Sequence, residues 1–213
     1  MRFEPISWQR LAEAVADRLE ATGPAAADGG DRLKLGVDGA PAAPCAEFAE
    51  RIADVLRGRG RPVLTVATDG FLRPASLRFE YGKQDPDAYY SGWYDTGALW
   101  REVFGPLAPD GTGRVLPDLW NPVTDRATRS PAVPLPPGGV LIVHGPFLLG
   151  HWFPFDLTAH LHLSPAALAR RTAEPWTLPA FARYTTETDP AGTADTTVRA
   201  DDPRRPAWTG FRS

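Results

Sequence analysis

Short, nearly unbroken apolar runs separated by helical patterns constrain this chain most. They are LKLGV at 33–37, PVLTVA at 62–67, VLIV at 140–143 and LTAHLHL at 157–163. Each is too short for a buried helix and too apolar for a strand with one wet face. Runs of this kind fit strands covered on both faces. Between the first two, Phe48, Ile52, Val55 and Leu56 recur at helical spacing over 44–57. Pro44 suits the first helical position, and Gly58 and Gly60 suit the end. Strands alternating with helices predict an α/β fold with a mainly parallel sheet.

The flanks follow the same logic. Residues 7–21 form an amphipathic pattern on Trp8, Leu11, Val15 and Leu19, with Ser7 as N-cap. This helix (1–22) is expected as an addition in front of one α/β domain over 31–205, joined by the small-residue linker GPAAADGG at 23–30. The spacing predicts one aromatic-rich helix over 87–104. A loop-rich stretch follows over 106–137, with a short strand near 114–116. Helices at 164–171 and 178–188 and a last strand at 195–199 complete the reading.

Composition removes several function classes. The 213 residues carry a net charge of −3, so no basic excess exists to neutralise phosphates and no nucleic-acid partner is expected. One cysteine, Cys45, excludes an internal disulfide or a cysteine-based zinc cage. No apolar run reaches membrane-spanning length, so no membrane partner is expected. The start of the chain lacks an apolar signal core, which predicts a cytoplasmic protein. A homodimer is left open.

The first motif is a strand, a glycine turn and a helix, the layout of the phosphate-binding loop G-x-x-x-x-G-K-[ST]. Here the segment reads Gly39-Ala-Pro-Ala-Ala-Pro44-Cys45-Ala46. Gly39 keeps its place, but Pro44, Cys45 and Ala46 stand at the second glycine, the lysine and the hydroxyl. Pro44 has no N–H to offer, Cys45 brings no positive charge, and Ala46 has no oxygen for Mg²⁺. Four further motifs follow in order: Thr68-Asp69-Gly70-Phe71, Asp85-Pro86-Asp87-Ala88-Tyr89, Leu119-Trp120-Asn121-Pro122-Val123-Thr124-Asp125-Arg126, and VLIV ending in His144-Gly145-Pro146-Phe147. Together they resemble the ordered motifs of uridine kinases over roughly residues 33–200. The closest likeness is to degenerate, uridine-kinase-like actinobacterial proteins that lack the phosphate-loop lysine.

That resemblance implies a three-layer α/β sandwich of the P-loop kinase type. It implies Asp69 as the catalytic aspartate, Asp87 as the holder of ribose hydroxyls, and Arg126 as the acceptor-pocket arginine. Arg170 and Arg171 fall where lid arginines clamp phosphates. His144 stands where the acidic, Mg²⁺-associated residue belongs. Tyr89, Trp93, Trp120, Phe147, Trp152 and Trp176 fall in or near the segments that line the pocket.

Each residue also has a plainer role. Asp69 can cap a turn, and Asp87 can cap the aromatic helix. His144 can merely fill the vacated metal position or do acid–base work. His160 and His162 share one side of a strand, but no third ligand is evident, so a hydrogen-bonded strand histidine is expected and no metal. Cys45 is expected to be a buried small residue, although a helix N-terminus would lower its pKa. Aromatic walls would raise the Asp69 pKa and Arg126 would lower it.

The leading functional expectation is an enzyme with a decayed ATP site and no cofactor. It acts on a small molecule in the former acceptor pocket by acid–base chemistry at Asp69 and His144, compatible with secondary metabolism. Two alternatives stand beside it: an ATP- and Mg²⁺-dependent nucleoside kinase with an unusual phosphate loop, and a non-catalytic ligand-binding protein.

Overall fold

The structure, a computed structural model, describes residues 2–23 and 32–212. Its strands are β1 (Glu4–Pro5), β2 (Leu33–Asp38), β3 (Val63–Ala67), β4 (Arg114–Val115), β5 (Trp120–Asn121), β6 (Arg126–Ala127), β7 (Val133–Pro134), β8 (Val140–Gly145), β9 (Leu157–His162), β10 (Thr196–Arg199) and β11 (Ala207–Trp208). Its helices are α1 (Trp8–Thr22), α2 (Cys45–Gly58), α3 (Ala75–Arg78), α4 (Pro86–Gly92), α5 (Thr96–Leu99), α6 (Pro165–Arg171), α7 (Leu178–Thr188) and α8 (Pro190–Thr193).

One sheet runs in the order β1-β11-β10-β9-β2-β8-β3. Strands β3, β8, β2, β9 and β10 are mutually parallel, while β11 and β1 close one edge antiparallel. The apolar runs of β2, β8 and β9 form this parallel centre because both faces are covered, but β3, expected to be covered likewise, is the edge strand and only half-buried. Along β8, Val140 and Ile142 pack into one core with α1 and α2, and Leu141 and Val143 into a second core on the opposite face. Leu11, Val15 and Leu19 of α1 are fully buried in the first core. Each such side chain contributes about 1.5–3 kcal/mol as an upper figure. Ser7 caps α1, its hydroxyl accepting from the Arg10 N–H.

The expected helix over 87–104 is broken. It becomes α4, then α5, then a π turn at Trp100–Phe104. The cause is tertiary: Arg73 donates its N–H to the Trp93 carbonyl and Asp95 donates to the Phe71 carbonyl, both at 2.8 Å. The Asp95 carboxylate then caps α5 through the Ala98 N–H. Asp85, not Asp87, is the N-cap of α4. Pro44 is the residue before α2 rather than its first turn. The loop-rich 106–137 region holds two small antiparallel ribbons, β4–β7 and β5–β6. Apart from Gly23, the linker at 23–30 lies outside the described residues. Among the described residues no helix is long and apolar enough to cross a membrane.

Candidate functional site

Parallel strands deliver the residues that follow them to one sheet edge, where open α/β folds bind ligands. Register does this here: Ala67 of β3 lies opposite His144 of β8, and Asp38 of β2 lies opposite Gly145 and His160. Thr68-Asp69, His144-Gly145 and Gly39 therefore converge. Gly39 is required by close approach, because a Cβ there would lie 2.8 Å from Cys45 Sγ and 3.0 Å from the Leu161 carbonyl oxygen. At Gly145, with φ +142°, a Cβ would run into Thr68 Oγ1.

A cavity of about 400 Å³ opens over this edge, lined by 39–47, Ala67, Thr68, Asp69, His144–Pro146 and Arg171. Its loop has few donors left. The Gly39 N–H is spent on the Gly145 carbonyl, and the Cys45 N–H on the Ala43 carbonyl at 2.8 Å. Pro44 makes no side-chain cap, and Glu47 brings a carboxylate to the first turn of α2. The Cys45 thiol is buried and its pKa is pushed well up, by loss of water first and then by Asp38 and Glu47. Cys45 is thus the buried small residue the sequence led one to expect, and loss of water is the largest cause of its shift.

A second cavity, of about 650 Å³, shares Asp69 and Arg171 with the first. Aromatic side chains build its wall. Tyr89 meets Trp93 edge-on at 5.0 Å and Trp176 at 5.6 Å between centroids. Arg78 stands behind them, its guanidinium 5.1 Å from the Trp93 ring. It is 94% withdrawn from water, its relative exposure being 6%. The Tyr94 hydroxyl donates to Asp69 Oδ1 at 3.4 Å.

Asp69 keeps an open face towards both cavities, yet the packed walls strip enough water from its carboxyl to raise its pKa. The Tyr94 hydroxyl and His144 pull the other way and lose. His144 shifts downward for the same reason, loss of water, against the attraction of Asp69. Tyr89 is pushed up to about 12 by burial. A carboxyl shifted up beside an imidazole shifted down brings the two pKa values closer together than they are in water.

Solved structures share this architecture. One, described as a possible uridine kinase from Bacillus stearothermophilus, is 20% identical with a TM-score of 0.68, covering 88% of this chain and 98% of its own. A provisionally named fructose transport system kinase from Silicibacter sp. TM1040 is 22% identical, with a TM-score of 0.58 and coverages of 87% and 91%. The D-glycerate 3-kinase of Cryptococcus neoformans is 15% identical, with a TM-score of 0.53 and coverages of 84% and 79%. The fold is that of the P-loop kinases. No protein-family model matches the sequence, and no curated protein matches it.

Within this P-loop kinase fold the expected residues separate into two groups. Asp69, His144, Gly39, Pro44, Cys45, Ala46, Tyr89, Trp93 and Arg171 line the two cavities. The others lie elsewhere. Asp87 is exposed and ion-paired to Arg183 at 3.0 Å. Arg126 is exposed on a ribbon, and Arg170 is exposed at the end of α6. Trp120 donates its Nε1–H to Asp125, and Trp152 is 91% exposed. Phe147 is buried in a stack with Phe181, at 5.0 Å. The Arg171 guanidinium is committed to the Ala200 and Asp201 carbonyls.

Three participants had weaker signals. Arg78 lines the aromatic cavity, with Lys83 and Arg171, while Arg126 does not; nothing in the local sequence of Arg78 marks it. Tyr94 was one aromatic among many. Asp38 ends a buried strand before a glycine, the same signal as Asp69-Gly70, yet it reads as a turn. Among the described residues no group of three or more His, Cys, Asp or Glu side chains is placed to hold a metal.

Proposed function

We propose that this protein is a kinase-fold enzyme that works without ATP, acting on a ring-bearing small molecule in the aromatic cavity by proton transfer at Asp69. The observation that carries the reading is the asymmetry around that carboxyl. On one side lie Tyr89, Trp93, Trp176 and the buried Arg78, a surface suited to a planar ligand. On the other, the loop residues do not fit Mg-ATP: Pro44 has no N–H, the Gly39 and Cys45 N–H groups are spent, Ala46 has no hydroxyl, and Glu47 repels phosphate.

In this reading Asp69 takes or returns the proton of a substrate hydroxyl or of a carbon beside a carbonyl. Its raised pKa supports that exchange, and the Tyr94 hydroxyl orients Oδ1. His144 lines the loop-side cavity with Asp69 and lies close enough to exchange a proton with the site. The nucleoside-kinase alternative asks Arg171 to replace the missing lysine, but that guanidinium already serves two backbone carbonyls.

Calorimetry with Mg-ATP, and a phosphorylation assay with ATP and uridine, test the reading. We expect no binding tighter than about 1 mM and no product. Micromolar Mg-ATP affinity would promote the kinase instead.

A further inference from the structure

A third cavity lies behind Phe147, away from Asp69. It holds about 310 Å³ and its walls are mostly apolar: Leu161, Leu163, Leu168, Leu178, Phe147 and Phe181. Two imidazoles, His160 and His162, project from β9 into this lining, their ring centroids 6.0 Å apart. Burial pushes the His162 pKa down, and His160 and Arg199 add to that push against Asp201. The lining thus favours a neutral guest.

His160 is held with unusual completeness on one side only. Its Nδ1 lies 2.6 Å from Asp38 Oδ2. Asp38 is fully buried, and its other oxygen accepts from the Leu148 N–H at 2.9 Å and the Tyr184 hydroxyl at 3.0 Å. Tyr184 in turn accepts from the Leu149 N–H at 3.0 Å. Asp38 serves as acceptor throughout, so Nδ1 carries a hydrogen and Nε2 is the ring nitrogen left for another partner. His160 is only 7% exposed, and no described residue bonds that nitrogen. A purely structural histidine needs no second nitrogen turned to an apolar cavity.

We propose that this cavity is a second ligand site, taking a small, mostly apolar molecule with one hydroxyl that hydrogen-bonds His160 Nε2. An apolar cavity of about 150 Å³ already holds benzene, so this volume suits a ring with substituents. The buried Asp38–Tyr184 network fixes the ring and so orients Nε2 before the ligand arrives. The site stands apart from the proposed chemistry at Asp69 and does not depend on it.

Imidazole ¹⁵N spectra of the full chain, titrated with phenol and with toluene, test this. Phenol should move the His160 signal saturably and bind about tenfold more tightly than toluene, the worth of one hydrogen bond. Ala182 lies exposed on α7 and lines the cavity rim. Ala182→Trp should block entry and abolish the shift while melting like the parent. Equal affinities for phenol and toluene would overturn the proposal. So would a phenol response at His144 without His160, or no saturable response up to roughly 10 mM. The comparison of the two probes in the unaltered protein decides the matter even if the Ala182 variant folds poorly.

Discussion

The two cavities that share Asp69 have opposite characters. The loop-side cavity is walled largely by Ala and Pro, the Gly39, Ala43 and Cys45 N–H groups are spent on carbonyls, and Glu47 adds a negative charge at the start of α2. The aromatic cavity is larger, walled by Tyr, Trp and Phe, and holds a buried cation in Arg78. They meet at Asp69, just beyond the end of β3, but the first is walled by the loop before α2 and the sheet edge, the second mainly by α3, α4 and the 172–181 segment. A phosphate-loop shape persists without phosphate chemistry because the shape needs only strand, close-packed glycine and helix. Binding a polyanion also needs free N–H groups and positive charge.

The largest effect that would sharpen this contrast is catalytic. Asp69→Asn keeps the shape and removes the acid, so turnover of the substrate found by metabolite screening should fall roughly 10²–10⁴-fold. Glu47→Gln, on the loop side, should leave that turnover within a factor of about 3. Steady-state rates of folded protein check both. Full activity in Asp69→Asn would reduce Asp69 to a turn residue.

Next comes stability. Trp93 packs on Tyr89, Trp176 and the Arg78 guanidinium and donates its Nε1–H to the Arg78 carbonyl. Trp93→Ala should cost about 3 kcal/mol, the low end for a tryptophan because the ring is only half-buried. That lowers Tm by roughly 6–12 °C in a chain of this size. A calorimetric scan showing no loss would mean the aromatic wall is not packed as described.

A smaller change probes the loop. The triple variant Pro44→Gly, Cys45→Lys, Ala46→Thr restores donors and charge but leaves Glu47 and His144 in place. Mg-ATP affinity should rise by no more than about tenfold, and uridine phosphorylation should stay at background. Phosphorylation at a kinase's pace would show that three side chains alone separate the two cavities.

The smallest effect is a pH dependence with a fixed sign. The Asp69 pKa is raised in the folded state above its ordinary 3.8. Protonated Asp69 is therefore tolerated, and ionising it costs stability as pH rises through the raised value. Asp69→Asn should match the parent Tm below pH 3.8. It should exceed it by on the order of 1 °C at neutral pH, a small gain because the carboxyl faces open cavities. A gain at acid pH instead would reverse the assigned cause.

How far the sequence reaches can be seen residue by residue. Apolar runs announced β2 and β8 because a strand buried on both faces has no polar position to spare, whereas β3 carries the same pattern at the sheet's edge and is only half-buried. An Asp-Gly step at a strand end marked Asp69, and the lost side chains at Pro44, Cys45 and Ala46 were readable one by one. The same step at Asp38 passed as a turn, because its partners His160, Tyr184 and Leu148 lie more than 100 residues away in the chain. The broken helix after Asp85 shows the same limit from the other side. Local spacing favoured one helix, and two backbone hydrogen bonds from the 71–73 segment and Asp95 cut it.

What the sequence alone determined is therefore the layered α/β class, the positions of its central strands along the chain and the absence of phosphate-loop side chains. Each follows from local periodicity or from residue identity at a fixed spacing. Tertiary structure decided the rest. It set Arg78 rather than Arg126 in the wall of the aromatic cavity and withdrew Asp87 to an exposed pair with Arg183. It also drove the Cys45 thiol upward by burial and joined Asp38 to His160. These outcomes depend on which distant side chains meet and how much water they expel, and no local pattern carries that information.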